Sequence, residues 1–124
     1  MRRFAAVSAV VLLAFAAAPA RAADAAEGQK AFQRQCAACH NDKAEGPRKL
    51  GPTLFGLIGR KTGAVEGFRY TEANKNAGWT WSPEKLEEYL KAPQQVIKGT
   101  NMAYAGVRNE AERANIVAYL ATLK

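Results

Sequence analysis

The residues with the clearest chemical potential lie together in the pentapeptide Cys36-Ala37-Ala38-Cys39-His40. Two cysteines three positions apart, followed at once by a histidine, form the C-x-x-C-H pattern of covalent haem attachment. Side chains at i and i+3 of a helix share a face, so both thiols could bond the vinyl groups along one edge of a porphyrin. The imidazole of His40 could then turn beneath the ring and hold the iron. The pentapeptide therefore predicts haem c, bound through Cys36 and Cys39 with His40 as an axial ligand.

Three other uses of the same residues are weaker. A thioredoxin-like pair requires a βαβ context, and the flanking sequence has no such pattern. A zinc site would take Cys36, Cys39 and His40 as ligands but lacks an obvious fourth. A plain disulfide between the two cysteines remains possible after export if haem is never attached.

The second axial ligand can be approached by elimination. His40 is the single histidine, so two histidines from this chain cannot hold one iron. No cysteine is left over, and Met102 is the only methionine besides Met1. Histidine and methionine together are the ligands of electron-transfer haems, where the thioether raises the potential. Met102 could instead be a flexible core residue, and an iron left open for catalysis or gas binding is a third possibility.

The first 22 residues have the pattern of an export signal. A positive start, Met1-Arg2-Arg3, precedes an apolar run from Phe4 to Ala18, and Ala20-Arg21-Ala22 has the small-x-small form of a cleavage site. The run is shorter than the ~20 residues of a membrane-spanning helix. We expect a signal peptide at 1–22, a mature domain at 23–124 and a periplasmic destination. Cleavage after Ala20 and an uncleaved anchor are the alternatives.

The composition of the 124-residue chain, with 48% hydrophobic and 23% charged residues, indicates one small globular domain. Loss of Arg2, Arg3 and Arg21 with the signal would lower the net charge from +7 to +4. The remaining basic residues are spread from Lys30 to Lys124 without a dense run, which argues against nucleic acid as a partner. Docking to an acidic protein surface fits better.

Capping signals and apolar spacing predict an all-α domain. Helices are expected at 24–39, 71–77, 82–91 and 110–123, with a further turn of helix reaching Ile97. Asp24, Thr71, Ser82 and Asn109 are the expected caps, and Asn109 with Glu112 resembles a capping box. Gly28, within the first helix, marks either a close approach of another helix or a frayed end.

The segment 41–70 has neither helical nor alternating periodicity, and it holds six glycines and two prolines. A loop of this length is unusual in a compact domain. Because such a segment cannot bury enough apolar surface alone, we expect a non-protein group to organise it. A shorter loop, 99–106, carries Met102.

Longer blocks of the chain resemble mitochondrial cytochrome c and its small bacterial relatives. They are CAACH at 36–40, GPTLFGLIGRKTG at 51–63, GFRYTEANKNAGWTW at 67–81, EYL at 88–90, GTNM at 99–102 and AERANIVAYL at 111–120. No insertion or deletion separates them. The resemblance implies the cytochrome c fold, with crossing terminal helices, one haem edge-on in a crevice, and the function of a one-electron carrier rather than an enzyme.

The resemblance also implies roles for individual residues. The carbonyl of Pro52 would accept the ring N–H of His40. The haem propionates would be held by Arg60, Tyr70 and Trp81. A polar network near the sixth ligand would comprise Asn74, Tyr89 and Thr100. The first helix would cross the last where Gly28 and Phe32 meet Ile116 and Tyr119.

The chain also departs from its relatives at the surface around the haem edge. Lys98 replaces a proline, Arg48 stands where relatives often have a histidine, and four edge lysines are replaced by Gln35, Gln94, Gln95 and Asn101. The basic residues that remain there are Lys30, Lys49, Lys91 and Arg108. We therefore expect redox proteins with acidic surfaces as donors and acceptors, but a docking surface that is less basic than in mitochondrial forms.

The expected partners include a membrane-bound oxidase or reductase met in transient contact, with the carrier itself a monomer. Two alternatives stay open at the level of sequence. One is a haem enzyme or gas sensor with an open iron. The other is an electron-accepting module bound permanently to a larger oxidase or dehydrogenase.

Overall fold

The computed structural model describes residues 21–124, so residues 1–20, which carry nearly all of the predicted signal peptide, lie outside the described residues. The helices are α1 (Ala25–Gln35), α2 (Glu72–Lys75), α3 (Pro83–Lys91), α4 (Pro93–Val96) and α5 (Glu110–Leu120). Within this described part the only β-type pairing is an isolated antiparallel bridge between Lys61 and Thr80. The all-α prediction is confirmed. None of the helices in this range is long and apolar enough to cross a membrane.

The helices begin where their capping residues predict. The Asp24 carboxylate accepts the amide hydrogens of Ala26 and Glu27, and Thr71, Ser82 and Asn109 cap α2, α3 and α5 in the same way. Each such bond satisfies an amide that the helix itself leaves unpaired. The capping box at α5 is only half formed, because the Glu112 carboxylate turns instead to Arg34 and Gln35 on α1.

Three helices end earlier than the sequence predicts: α1 at Gln35 rather than residue 39, α2 at Lys75 rather than residue 77, and α5 at Leu120 rather than residue 123. The α1 helix ends at Gln35, and residues 36–39 form a turn in which the Cys39 amide donates to the Cys36 carbonyl at 3.0 Å. This three-residue hydrogen bond is tighter than that of an α-helix, so the cysteines still follow one another around a single turn. At the other terminus α5 ends at Leu120, where the Thr122 hydroxyl donates to the Tyr119 carbonyl at 2.6 Å.

The terminal helices α1 and α5 touch backbone to backbone at Gly28. A Cβ atom at this position would lie 1.8 Å from the Asn115 carbonyl oxygen and 2.9 Å from the Tyr119 Cβ. One turn further along α1, the Phe32 ring packs against Tyr119 with 5.5 Å between ring centroids. Gly28 therefore marks a close helix approach, not a frayed end.

The α3 helix forms the third side of the core, and an ion pair between Glu87 and Arg113 joins it to α5. Arg113 is 7% exposed, and its Nε atom donates to the Glu87 carboxylate at 2.5 Å. Its Nη1 atom donates to the Val107 carbonyl at 2.8 Å, and the Val107 amide donates to the Leu90 carbonyl. Together these bonds fix the end of the 99–106 loop against α3 and α5.

The predicted absence of helix and strand in the segment 41–70 is confirmed. Its backbone is held at intervals by the rest of the chain: the Gly51 amide donates to the Cys39 carbonyl, the Gly56 amide to Leu123 and the Gly59 amide to Trp81. The segment thus wraps around the α1–α3–α5 core without forming a core of its own.

We expect Gly28→Ala to lower the free energy of unfolding of the holoprotein by about 3 kcal/mol, since the added methyl group meets rigid backbone rather than a movable side chain. Urea unfolding followed by far-ultraviolet circular dichroism measures the change. The control is Gln33→Ala, an exposed site on the same helix, with an effect within about 0.5 kcal/mol. Equal stabilities of the two variants would contradict the proposed crossing.

Candidate haem site

A cavity of about 490 Å³ lies between the turn after α1, the segment 50–63, α3 and the 99–106 loop. Much of its wall is apolar, from leucine, isoleucine and aromatic side chains. The cavity brings together every site residue that the sequence predicts: Cys36, Cys39, His40, Pro52, Arg60, Tyr70, Asn74, Trp81, Tyr89, Thr100 and Met102.

The two thiols are free and differ in environment, with Cys36 partly buried and Cys39 exposed. Burial raises the pKa of Cys36 to about 11, and the neighbouring charges of Cys39 and Glu112 act in the same direction. Within residues 21–124 no three histidine, cysteine or carboxylate side chains converge on a metal-binding point, which disfavours the zinc alternative.

The imidazole of His40 is oriented by the backbone. Its Nδ1 atom lies 2.8 Å from the Pro52 carbonyl oxygen, and since a carbonyl can only accept, Nδ1 carries the proton. The other ring nitrogen, Nε2, then has its lone pair available for a metal. Burial lowers the pKa of His40, while the bond to Pro52 partly offsets that effect. The ring is therefore neutral and aimed by one hydrogen bond.

Gly51 supports the other side of the His40 ring. A Cβ atom at Gly51 would lie 2.3 Å from His40 Cε1 and 2.8 Å from Nε2. The imidazole thus rests directly on the backbone of the residue that precedes Pro52, so the Gly51-Pro52 pair fixes both the plane and the direction of the ring.

Three hydrogen bonds that involve side chains position Met102. Its amide donates to the Thr100 hydroxyl at 3.3 Å, its carbonyl accepts from the Gln94 amide at 3.3 Å, and the Tyr89 hydroxyl donates to its sulfur at 3.3 Å. Burial raises the pKa of Tyr89, although a hydrogen bond with Thr100 acts against it, so the phenol keeps the proton it donates. A methionine that serves only as packing requires no donor to its sulfur.

Arg60, Tyr70 and Trp81 supply the cavity's polar donors. The Arg60 guanidinium donates to the carbonyls of Thr53 at 2.8 Å and Phe55 at 3.1 Å. Burial lowers the pKa of Arg60, but a guanidinium stays charged in proteins. A fixed positive charge beside a phenol and an indole N–H in an apolar cavity suits bound carboxylates.

Asn74 lies in the same cavity but is tied to the start of α2. Its amide oxygen accepts from the Thr71 hydroxyl at 2.8 Å, and its backbone amide donates back to that hydroxyl at 3.2 Å. The hydrogen bonds to Met102 that involve side chains therefore come from Tyr89, Gln94 and Thr100, and Asn74 makes none of them.

These features fit a covalently attached haem. The cavity offers paired thiols, a neutral imidazole with a free nitrogen, a thioether with a donor on its sulfur, and a half-buried cation, all within mainly apolar walls. Fold and site together define a small all-α protein of the c-type haem class.

The chain belongs to the cytochrome c family, which its sequence matches over residues 25–124. It is 45% identical over 109 residues to cytochrome c2 of Blastochloris viridis, covering 88% of this chain and 85% of that protein. It is 47% identical over 103 residues to cytochrome c2 of Rhodoblastus acidophilus, covering 83% and 95%. Cytochrome c of Gibberella zeae is 45% identical over 97 residues, covering 78% and 92%.

Membership of this family confirms the predicted fold, the predicted cofactor and the predicted activity. The cofactor is covalently bound haem c, and the protein carries electrons. The resemblance first visible in the C-x-x-C-H motif and the flanking blocks thus extends over the whole described domain.

Several residues at the site were not predicted from sequence. Gly51 was noted only as one glycine among many, and its contact with His40 arises from the folding of the loop. Tyr104 and Gln35 both line the cavity, and the Tyr104 hydroxyl donates to Gln35 at 2.5 Å. The only sequence signal for Tyr104 was an aromatic residue among small neighbours in the Met102 loop.

We expect Gly51→Ala to displace the His40 ring and to break its bond to Pro52, because the methyl group cannot occupy the space of the imidazole. The holoprotein should lose about 1–3 kcal/mol of stability, measured by urea unfolding followed at the haem absorption band. Glu45→Ala is the control, since Glu45 is an exposed residue of the same segment that does not line the cavity, and its loss should cost under about 0.5 kcal/mol. A Gly51→Ala protein as stable as the control would refute the contact.

Proposed function

We propose that this protein is a one-electron carrier whose haem is attached through Cys36 and Cys39 and held axially by His40 and Met102. The observation that carries the proposal is that both candidate ligands line one cavity and are each fixed by hydrogen bonds. When bound, the haem supplies an iron that alternates between the ferric and ferrous states. The protein's contribution is to hold the ligands still and to keep water away.

The remaining cavity residues would tune and anchor the group. The Pro52 carbonyl fixes His40, and Tyr89 with Thr100 fixes Met102. We assign the binding of the haem carboxylates to Arg60, Tyr70 and Trp81, with Asn74 completing the wall between them and the methionine loop. A donor to the methionine sulfur reduces its electron density, which favours the ferrous form.

The protein would act as a carrier rather than an enzyme if both axial ligands of the iron stay bound through the redox cycle. Three separate contacts on Met102 support this. An open-iron enzyme or gas sensor would require that loop to be displaced. Rapid binding of carbon monoxide to the reduced protein would favour that alternative.

The place of action is the periplasm, with residues 1–22 as a cleaved signal and 23–124 as the mature domain. The charge and apolar pattern of the first 22 residues supports this assignment. Amino-terminal sequencing of the exported protein tests the cleavage site.

The partners would be redox proteins with acidic docking surfaces, including a membrane-bound oxidase or reductase in transient contact, and the carrier would be a monomer. Recovery of the native protein in a stable complex would favour a permanent subunit instead.

Met102→Ala should abolish the weak near-infrared absorption band that a methionine-bound ferric haem gives. The control is Ala103→Gly, an exposed neighbour in the same loop, which should keep the band. A band that survives in Met102→Ala would show that another residue is the sixth ligand. A wild-type protein without the band would contradict methionine ligation altogether.

Electron transfer to an anionic oxidant should slow as ionic strength rises from about 10 to 300 mM, because salt screens the attraction of a protein with net charge +4 after cleavage. Stopped-flow oxidation by hexacyanoferrate(III) measures the rate. A tripositive cobalt complex provides the control, and its rate should rise with salt. The same sign of salt dependence for both oxidants would contradict a basic docking surface.

A further inference from the structure

A chain of side-chain hydrogen bonds joins the Met102 loop to both terminal helices. The Tyr104 hydroxyl donates to Gln35 Oε1 at 2.5 Å, and Gln35 Nε2 donates to Glu112 Oε1 at 2.8 Å. Arg34 donates to the same carboxylate oxygen at 3.1 Å. We call these four residues the Tyr104 network. It links the loop to the last residue of α1, immediately before Cys36, and to α5.

The central residue of the Tyr104 network must be both an acceptor and a donor. A glutamine amide offers a carbonyl oxygen to the phenol and an NH₂ group to the carboxylate. A lysine at the same position could bond Glu112 but could not accept from Tyr104. Gln35 is therefore uncharged and, unlike a lysine, can link Glu112 to the loop.

The loop has few other large side chains to hold it. Residues 99–106 contain no helix or strand, and Gly99, Asn101, Ala103 and Ala105 are exposed. Besides the contacts of Met102 itself, Tyr104 is the side chain that bonds the loop to α1. It is partly buried and lines the haem cavity together with Gln35.

We propose that Tyr104 and Gln35 are positioning residues for the sixth ligand, and that the Tyr104 network keeps the Met102 loop closed against external ligands. The proposal rests on the proposed ligation by Met102. The hydrogen bond between the Tyr104 phenol and the Gln35 amide thus controls how readily the loop opens, rather than the stability of the whole fold.

The test compares five ferric holoproteins: wild type, Tyr104→Phe, Gln35→Lys, the double variant that combines these two changes, and Tyr119→Phe. Tyr104→Phe removes only the donor, and Gln35→Lys keeps a bond to Glu112 while removing the acceptor. Tyr119→Phe is the matched control, because it deletes another phenol bond near the motif, the 2.6 Å contact with Asp42, that does not involve the loop. The rate of imidazole binding, which requires Met102 to leave, reports loop opening, and urea unfolding reports global stability.

Tyr104→Phe and Gln35→Lys should each speed imidazole binding about three- to tenfold, the range expected for one lost hydrogen bond. The double variant should be no faster than either single one, since both remove the same bond. Tyr119→Phe should bind imidazole at the wild-type rate, even where its unfolding midpoint falls. An unchanged rate in Tyr104→Phe, or an equal rise in Tyr119→Phe, overturns the proposal.

Amide hydrogen exchange separates this proposal from the assignment of Met102. The Thr100 amide donates to the Ile97 carbonyl, and the Met102 amide donates to the Thr100 hydroxyl. Both amides should exchange several-fold faster in Tyr104→Phe than in wild type. That result supports the Tyr104 network whatever the sixth ligand is. Unchanged exchange at both amides overturns the network, and a missing near-infrared band in wild type overturns only the ligation.

Discussion

The contact between α1 and α5 at Gly28 is the constraint on which the site depends. It allows the two helix backbones to meet without an intervening side chain. The α1 helix ends at Gln35, directly before Cys36, so the position of the thiols is set by where α1 lies on α5. The same α5 helix then bonds the segments on both sides of the motif, through Glu112 to Gln35 and through Tyr119 to Asp42. Residues 112 and 119 are seven apart, about two helical turns, and therefore lie on one face.

The second half of the site is built with little regular secondary structure. Segment 41–70 and the 99–106 loop together supply Pro52, Arg60, Tyr70, Thr100 and Met102. Each is fixed by one or two bonds between a side chain and a backbone carbonyl or amide, such as those of Arg60 to Thr53 and Phe55. Isolated bonds of this kind contribute about 1 kcal/mol each, so the bound group that fills the cavity has to provide much of the apolar contact.

Sequence patterns predicted the chemistry of the site better than its local geometry. The C-x-x-C-H spacing, the single histidine and the position of Met102 indicated the cofactor and the candidate ligands, because each depends on residue type alone. The caps at Asp24, Thr71, Ser82 and Asn109 were predicted for the same reason. The end of α1 at Gln35 was not predicted, since no glycine or proline follows it, and the Cys39 carbonyl in the turn accepts from the distant Gly51 amide. The role of Glu112 was also missed, because its partner Gln35 is 77 residues away in sequence.

The acceptor of the His40 proton has a consequence for reactivity. A carboxylate in that place would draw the proton toward itself and make the imidazole a stronger, more anionic donor. The Pro52 carbonyl is neutral, so the imidazole remains a moderate donor. An electron-rich ligand stabilises the higher oxidation states of iron that oxygen and peroxide chemistry requires. A moderate donor stabilises them less, so the iron is more easily reduced. With His40 as the proposed iron ligand, a backbone carbonyl at residue 52 would favour reversible exchange of single electrons over oxidative catalysis.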